Sequence, residues 1–163
     1  MQLDKLFNLQ LGLDQHIEEK HGLVKEDLFN RKVLALVVEM AELANETRCF
    51  KFWSVKPSSE KDIILEEFVD GIHFILSLGI ECGFHHGGLI LADKPAQLGM
   101  TEQFLFINEK IIELQKSRNL EDYVSLFESY LQLGTLLGIS STEMEQAYFR
   151  KNEVNYQRQQ NNY

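Results

Sequence analysis

Apolar residues recur at helical spacing from the first turn of the chain. Leu3, Leu6, Phe7, Leu9, Leu11, Leu13 and Ile17 mostly follow that period as far as His21-Gly22, where glycine can take the left-handed conformation that stops a helix. Leu28 to about Cys49 gives a second helix, apolar nearly all round through Val33-Leu34-Ala35-Leu36-Val37-Val38, a pattern that predicts a central, buried element. Phe50 to Ser59 mixes aromatics, lysines and Pro57, and predicts a loop with more aromatic surface than a connector needs. Ser59 and Asp62 imitate a capping box with Asp in place of Glu, and open a third, equally apolar helix running to about Cys82-Gly83. From Phe84 to Gln97 the His85-His86-Gly87-Gly88 turn and Pro95 predict a long loop, with Leu89-Ile90-Leu91 as a candidate short strand. A fourth helix spans roughly Leu98 to Lys116. Asn119 with Asp122 caps a fifth that ends at Gly138, and Ser140 with Glu143 caps a sixth that runs into a fraying polar tail, Gln157 to Tyr163.

The pattern predicts an all-α fold: one domain over residues 1–163, about six helices, with a four-helix-bundle core. The chain holds only two prolines, Pro57 and Pro95, so long helices meet few breakers. Sixteen basic against 25 acidic residues leave a net charge of −9, which opposes duplex DNA and anionic lipid, so neither nucleic acid nor membrane is an expected partner. Cys49 and Cys82 lack metal-type spacing and read as free core thiols. No spanning apolar stretch or leader-like apolar region is visible, which sets a reducing cytoplasm as the expected compartment.

The chemistry-bearing feature is acidic. Glu39 and Glu42 stand three apart on one face of the second helix, with Glu46 a turn further; Glu67 and Asp70 repeat the spacing on the third, beside Glu66. Like charges at this spacing cost little in water but several kcal/mol per ion if buried, and these pairs lie in the two most apolar helices. Two readings follow. The acids occupy thin solvated stripes or pair with Lys and Arg; or two adjacent helices deliver four carboxylates to a hard divalent cation, which takes oxygen ligands.

Glu39-x-x-Glu42 followed by Glu67-x-x-Asp70 resembles the ExxE…ExxD signature of the all-α, MazG-like nucleoside triphosphate pyrophosphatases. More narrowly, the segment Leu9 to Asp14, the run Glu39 to Trp53, the run Glu67 to Phe74 and the tail Lys151 to Gln159 occur in the order found in the dimeric all-α dUTPases. That resemblance implies Mg²⁺-dependent hydrolysis of dUTP, and of dUDP, to dUMP by a homodimer, with Glu39, Glu42, Glu67 and Asp70 as metal ligands. A carboxylate not fully committed to metal can deprotonate water, a role assigned to Glu42 with Glu39 beside it. The resemblance makes Phe74 a base-stacking ring where its composition alone also allows a core residue, and His73 either a contact to a sugar hydroxyl or a satisfied core imidazole. Gln10 and Asp14 would read the pyrimidine edge. Asp14 departs from the family's usual Asn, and an ionised acceptor leaves dCTP open as a second substrate. Lys51 and Trp53 match a segment that closes over the nucleotide, and Lys151, Asn155 and Arg158, on one helical face, suit a triphosphate. Two other readings are a di-iron bundle, of whose metal motif, Glu-x-x-His on two helices, Asp70-x-x-His73 imitates only half, and a non-catalytic helical dimerisation or interaction module.

Overall fold

In the computed structural model, which describes residues 1–161, the amphipathic segments become six helices: α1 (Leu3–His21), α2 (Phe29–Thr47), α3 (Lys61–Glu81), α4 (Met100–Ser117), α5 (Leu120–Leu136) and α6 (Ser141–Gln160). Among the described residues there is no strand; Leu89-Ile90-Leu91 is irregular, because no neighbouring extended segment pairs with it. The four-helix core is a closed ring in which α2 meets α3 and α4, and α5 meets α4 and α3. Helices α1 and α6 pack on each other and on the outer side of α3.

Helix α3, not α2, is the central element. It buries Leu65, Phe68, Val69, Ile72, Ile75, Leu76 and Leu78, whereas Leu34 and Val38 of α2 keep 64% and 45% of their surface exposed. An apolar run without a polar stripe has no face for periodicity to assign, and the expectation of a wholly buried α2 fails for that reason. Two glycines let aromatic residues close against α3. The Tyr130 hydroxyl donates to the Phe68 carbonyl at 2.8 Å and the Tyr123 hydroxyl to the Ile75 carbonyl at 3.0 Å, each over a glycine, Gly71 or Gly79, where a Cβ would overlap the phenol.

Helix ends follow local signals where the signal has no tertiary competitor. Gly22 takes the left-handed conformation after α1, Asn119 accepts from the Asp122 amide at α5, and Ser140 with Glu143 makes the reciprocal box at α6. Ser59 does not cap α3. Glu60 is the N-cap residue, without a side-chain bond, and Ser59 instead bonds through both its amide and its hydroxyl to Glu46 at the end of α2. This ties the aromatic loop back to α2. The polar tail stays helical as far as Gln160, and the last residues of the expected fraying end lie outside the described residues. Cys49 and Cys82 are free and half-buried. No helix among the described residues is long and apolar enough to cross a membrane.

Candidate active site

Helices α2 and α3 run side by side with Leu36, Met40 and Leu43 of one and Phe68, Val69 and Ile72 of the other turned into the core. The residues between these core positions emerge at the seam. Glu39, Glu67 and Asp70 each bring one carboxylate oxygen within 4.8 Å of the others. All three are partly buried, and the consequence is electrostatic: burial, then the charges of Asp70, Glu42 and Glu67, push the Glu39 carboxyl up to about 7. Burial and the Asp70 and Glu42 charges raise Glu67 as well. Burial raises Asp70, with Lys151 opposing it. Such mutual repulsion is what a bound divalent cation relieves, and oxygen donors at this separation fit one. Glu42 stands outside the tight group, exposed and one turn beyond Glu39; with Glu67, Asn45 and Glu46 it lines a shallow hollow on the same seam.

Beside the acids lies a groove of about 390 Å³, a size suited to a small ligand. Glu39 and Asp70 form one wall, and Gln10, Asp14, His73, Phe74, Lys151, Asn155 and Arg158 complete much of the rest. Nine of the residues singled out in the sequence thus meet in one place, from α1, α2, α3 and α6. Phe74 is half-buried rather than sealed in the core, so its ring is available to the groove. Gln10 is buried and anchors a polar network. Its Nε2 donates to Asp14 Oδ1 at 2.7 Å, and its Oε1 lies 2.8 Å from the Tyr148 hydroxyl and 2.7 Å from His73 Nδ1. His73 stacks on Tyr148 with ring centroids 4.2 Å apart, and burial holds its imidazole down at about 3.

Sequence reasoning missed two residues that line this groove, Lys32 and Ser77, and one behind it, Tyr148. Lys32 reaches Asp14 Oδ2 at 3.3 Å, Glu18 at 3.2 Å and Glu81 at 2.5 Å, the Ser77 hydroxyl donates to Asp14, and Tyr148 holds Gln10. A helical-face signal was present: Lys32 lies seven residues before Glu39, Ser77 seven after Asp70 and Tyr148 three before Lys151.

The Lys151 ammonium reaches Asp70 and Glu66, each at 2.7 Å, and so partly neutralises the acidic wall. Asn155 and Arg158 line the groove on the same face of α6. Lys51 and Trp53 do not line it. The Lys51 Nζ donates to Asn45 Oδ1 at 2.5 Å, and Trp53, 66% exposed, packs edge-on against Phe50 and Phe52. The loop therefore stands at the end of α2 where Ser59 and Glu46 hold it, with its aromatic surface in solvent.

The groove thus sets raised carboxylates at one end and amide, aromatic and cationic side chains along its length, within an all-helical fold. The family model described as dUTPase matches residues 2–163, and the chain belongs to that dUTPase family, so it is a nucleoside triphosphate pyrophosphohydrolase of the dUTP diphosphatase type. No curated protein matches it in sequence.

Proposed function

We propose that the chain uses Mg²⁺ to hydrolyse dUTP to dUMP and diphosphate, and dUDP to dUMP and phosphate, through Glu39, Glu42, Glu67 and Asp70. In a cell this keeps uracil out of DNA and supplies dUMP for dTMP synthesis. The observation that carries the reading is the Glu39, Glu67 and Asp70 cluster, whose raised carboxyls border the groove. When bound, a hard divalent cation there neutralises negative charge on phosphate oxygens. Glu42, exposed and outside the tight group, is the carboxylate left free to orient a water and take its proton. Lys151 and Arg158 attract the phosphates, Phe74 offers a ring to the base, and Gln10 and Asn155 offer amides. Lys51 and Trp53 reach the nucleotide only if their loop moves over it, in which case closure accompanies binding.

Asp14 bears on the choice between dUTP and dCTP. Its oxygens already accept from Gln10, Ser77 and Lys32, so it is poorly placed to accept from a cytosine amine, which favours the uracil nucleotide. A homodimer accounts for the exposed apolar face of Leu34 and Val38 on α2 and Leu105 and Ile112 on the adjoining α4. Val38 also borders the hollow that Glu42 and Glu67 line, so the same face adjoins the carboxylates. Phosphorus NMR of the products tests the reaction: dUTP should give dUMP and diphosphate in wild type, and nothing in Glu42→Gln. Light scattering tests the dimer: twice the chain mass is expected, falling to one in Leu34→Glu/Leu105→Glu, and a monomeric wild type contradicts it.

A further inference from the structure

Asp14 is buried, 8% exposed, and among the described residues each of its hydrogen-bonding neighbours is a donor: the Gln10 amide, the Ser77 hydroxyl and the Lys32 ammonium. An acceptor-only carboxylate leaves the Gln10 amide one orientation, because the reversed amide would put oxygen against oxygen at 2.7 Å. The oriented amide turns its Oε1 to two further groups, the Tyr148 hydroxyl at 2.8 Å and His73 Nδ1 at 2.7 Å. Both must then donate. A neutral imidazole that donates from Nδ1 has no proton on Nε2, and His73 Nε2 is buried without a hydrogen-bond partner among the described residues, in a residue only 5% exposed that lines the groove.

We propose that Asp14 is a positioning residue: through Gln10 it fixes His73 as the Nδ1-H tautomer, so that Nε2 is a lone-pair acceptor for an N–H or O–H donor of the bound nucleotide. The identity of that donor's owner rests on the dUTP reading; the tautomer does not. Lys32, which Asp14 shares with Glu18 and Glu81, and the Ser77 hydroxyl donate to one carboxylate oxygen and leave the other to orient the amide.

The prediction for Asp14→Asn is a reversal. Lys32 and Ser77 still demand an oxygen, so the new amide turns its Nδ2 toward Gln10, the Gln10 amide flips, and its Nε2 now faces His73 Nδ1. The imidazole proton moves to Nε2 and the acceptor in the groove is lost. Long-range proton–nitrogen NMR of the histidine rings, with His73 assigned by His73→Gln, reads this directly on the free protein. Wild type should show a pyrrole-type shift at Nδ1 and a pyridine-type shift at Nε2, and Asp14→Asn should exchange them. In a Gln10→Met background the Asp14 substitution should leave the tautomer unmoved. A wild-type Nε2 that carries the proton overturns the proposal even if no variant folds, as does an Asp14→Asn protein with the wild-type tautomer. Saturating dUMP should then move the Nε2 resonance toward the pyrrole range; an unmoved Nε2 while other groove signals shift overturns the acceptor role. Absence of any dUMP binding, with the tautomer as expected, counts against the dUTP reading and not against the relay.

Discussion

Cation binding at the carboxylate cluster should be coupled to protons in a way that Glu39 sets. Its carboxyl lies at about 7, pushed up by burial and by Asp70, Glu42 and Glu67, and a cation needs it ionised. Protons compete below that value, so the apparent Mg²⁺ affinity should approach a tenfold fall per pH unit well below 7, drop roughly 50-fold between pH 7 and pH 5, and change little above pH 8. At pH 7 binding should release ~0.5 proton from this group. Stability runs in the opposite sense. A carboxyl whose folded value exceeds its ordinary 4.5 contributes stability that is full below about 4.5 and is lost as pH rises through about 7, so the metal-free protein should lose melting temperature across that window. Added Mg²⁺ should restore more of it at pH 8 than at pH 5. Titration calorimetry at several pH values, repeated in buffers of different ionisation enthalpy, reads both affinity and proton release. Glu39→Gln should weaken binding and flatten the pH dependence. Equal Mg²⁺ affinity at pH 5 and pH 8, or a dependence untouched by Glu39→Gln, would refute the reasoning.

Two further substitutions probe the fold and the groove. Gly71→Ala forces a Cβ into the Tyr130 hydroxyl over the central helix, and should cost about 1–3 kcal/mol, read as a lower Tm with the overall helix content retained by circular dichroism. Lys151→Met removes a cation bonded to Asp70 and Glu66 and should raise the KM for dUTP roughly tenfold; steady-state kinetics that leave KM unchanged would remove Lys151 from phosphate binding.

Local and tertiary determinants separate cleanly along this chain. The caps at Asn119 and Ser140 were legible because both partners lie within one turn, and the helices themselves because their apolar period repeats over several turns. Ser59 carried the same kind of signal and was drawn off by Glu46, thirteen residues back, which no local pattern encodes. Glu39, Glu67 and Asp70 could be paired from sequence because acids at helical spacing are conspicuous in apolar helices. Lys32 was not conspicuous: a lysine on a helix reads as solvated surface until the fold sets it between Asp14, Glu18 and Glu81. The placement of Lys51 and Trp53 away from the groove reflects the loop's anchorage to α2, again a contact between elements.

The most direct test of the central claim is the rate of diphosphate release with Mg²⁺ from dUTP, dCTP, dTTP and UTP in parallel, for wild type and for Glu42→Ala. Turnover of dUTP that greatly exceeds the other three and is abolished by the substitution is the predicted result. Undiminished dUTP turnover in Glu42→Ala, or no turnover of dUTP by wild type, would contradict hydrolysis by these carboxylates.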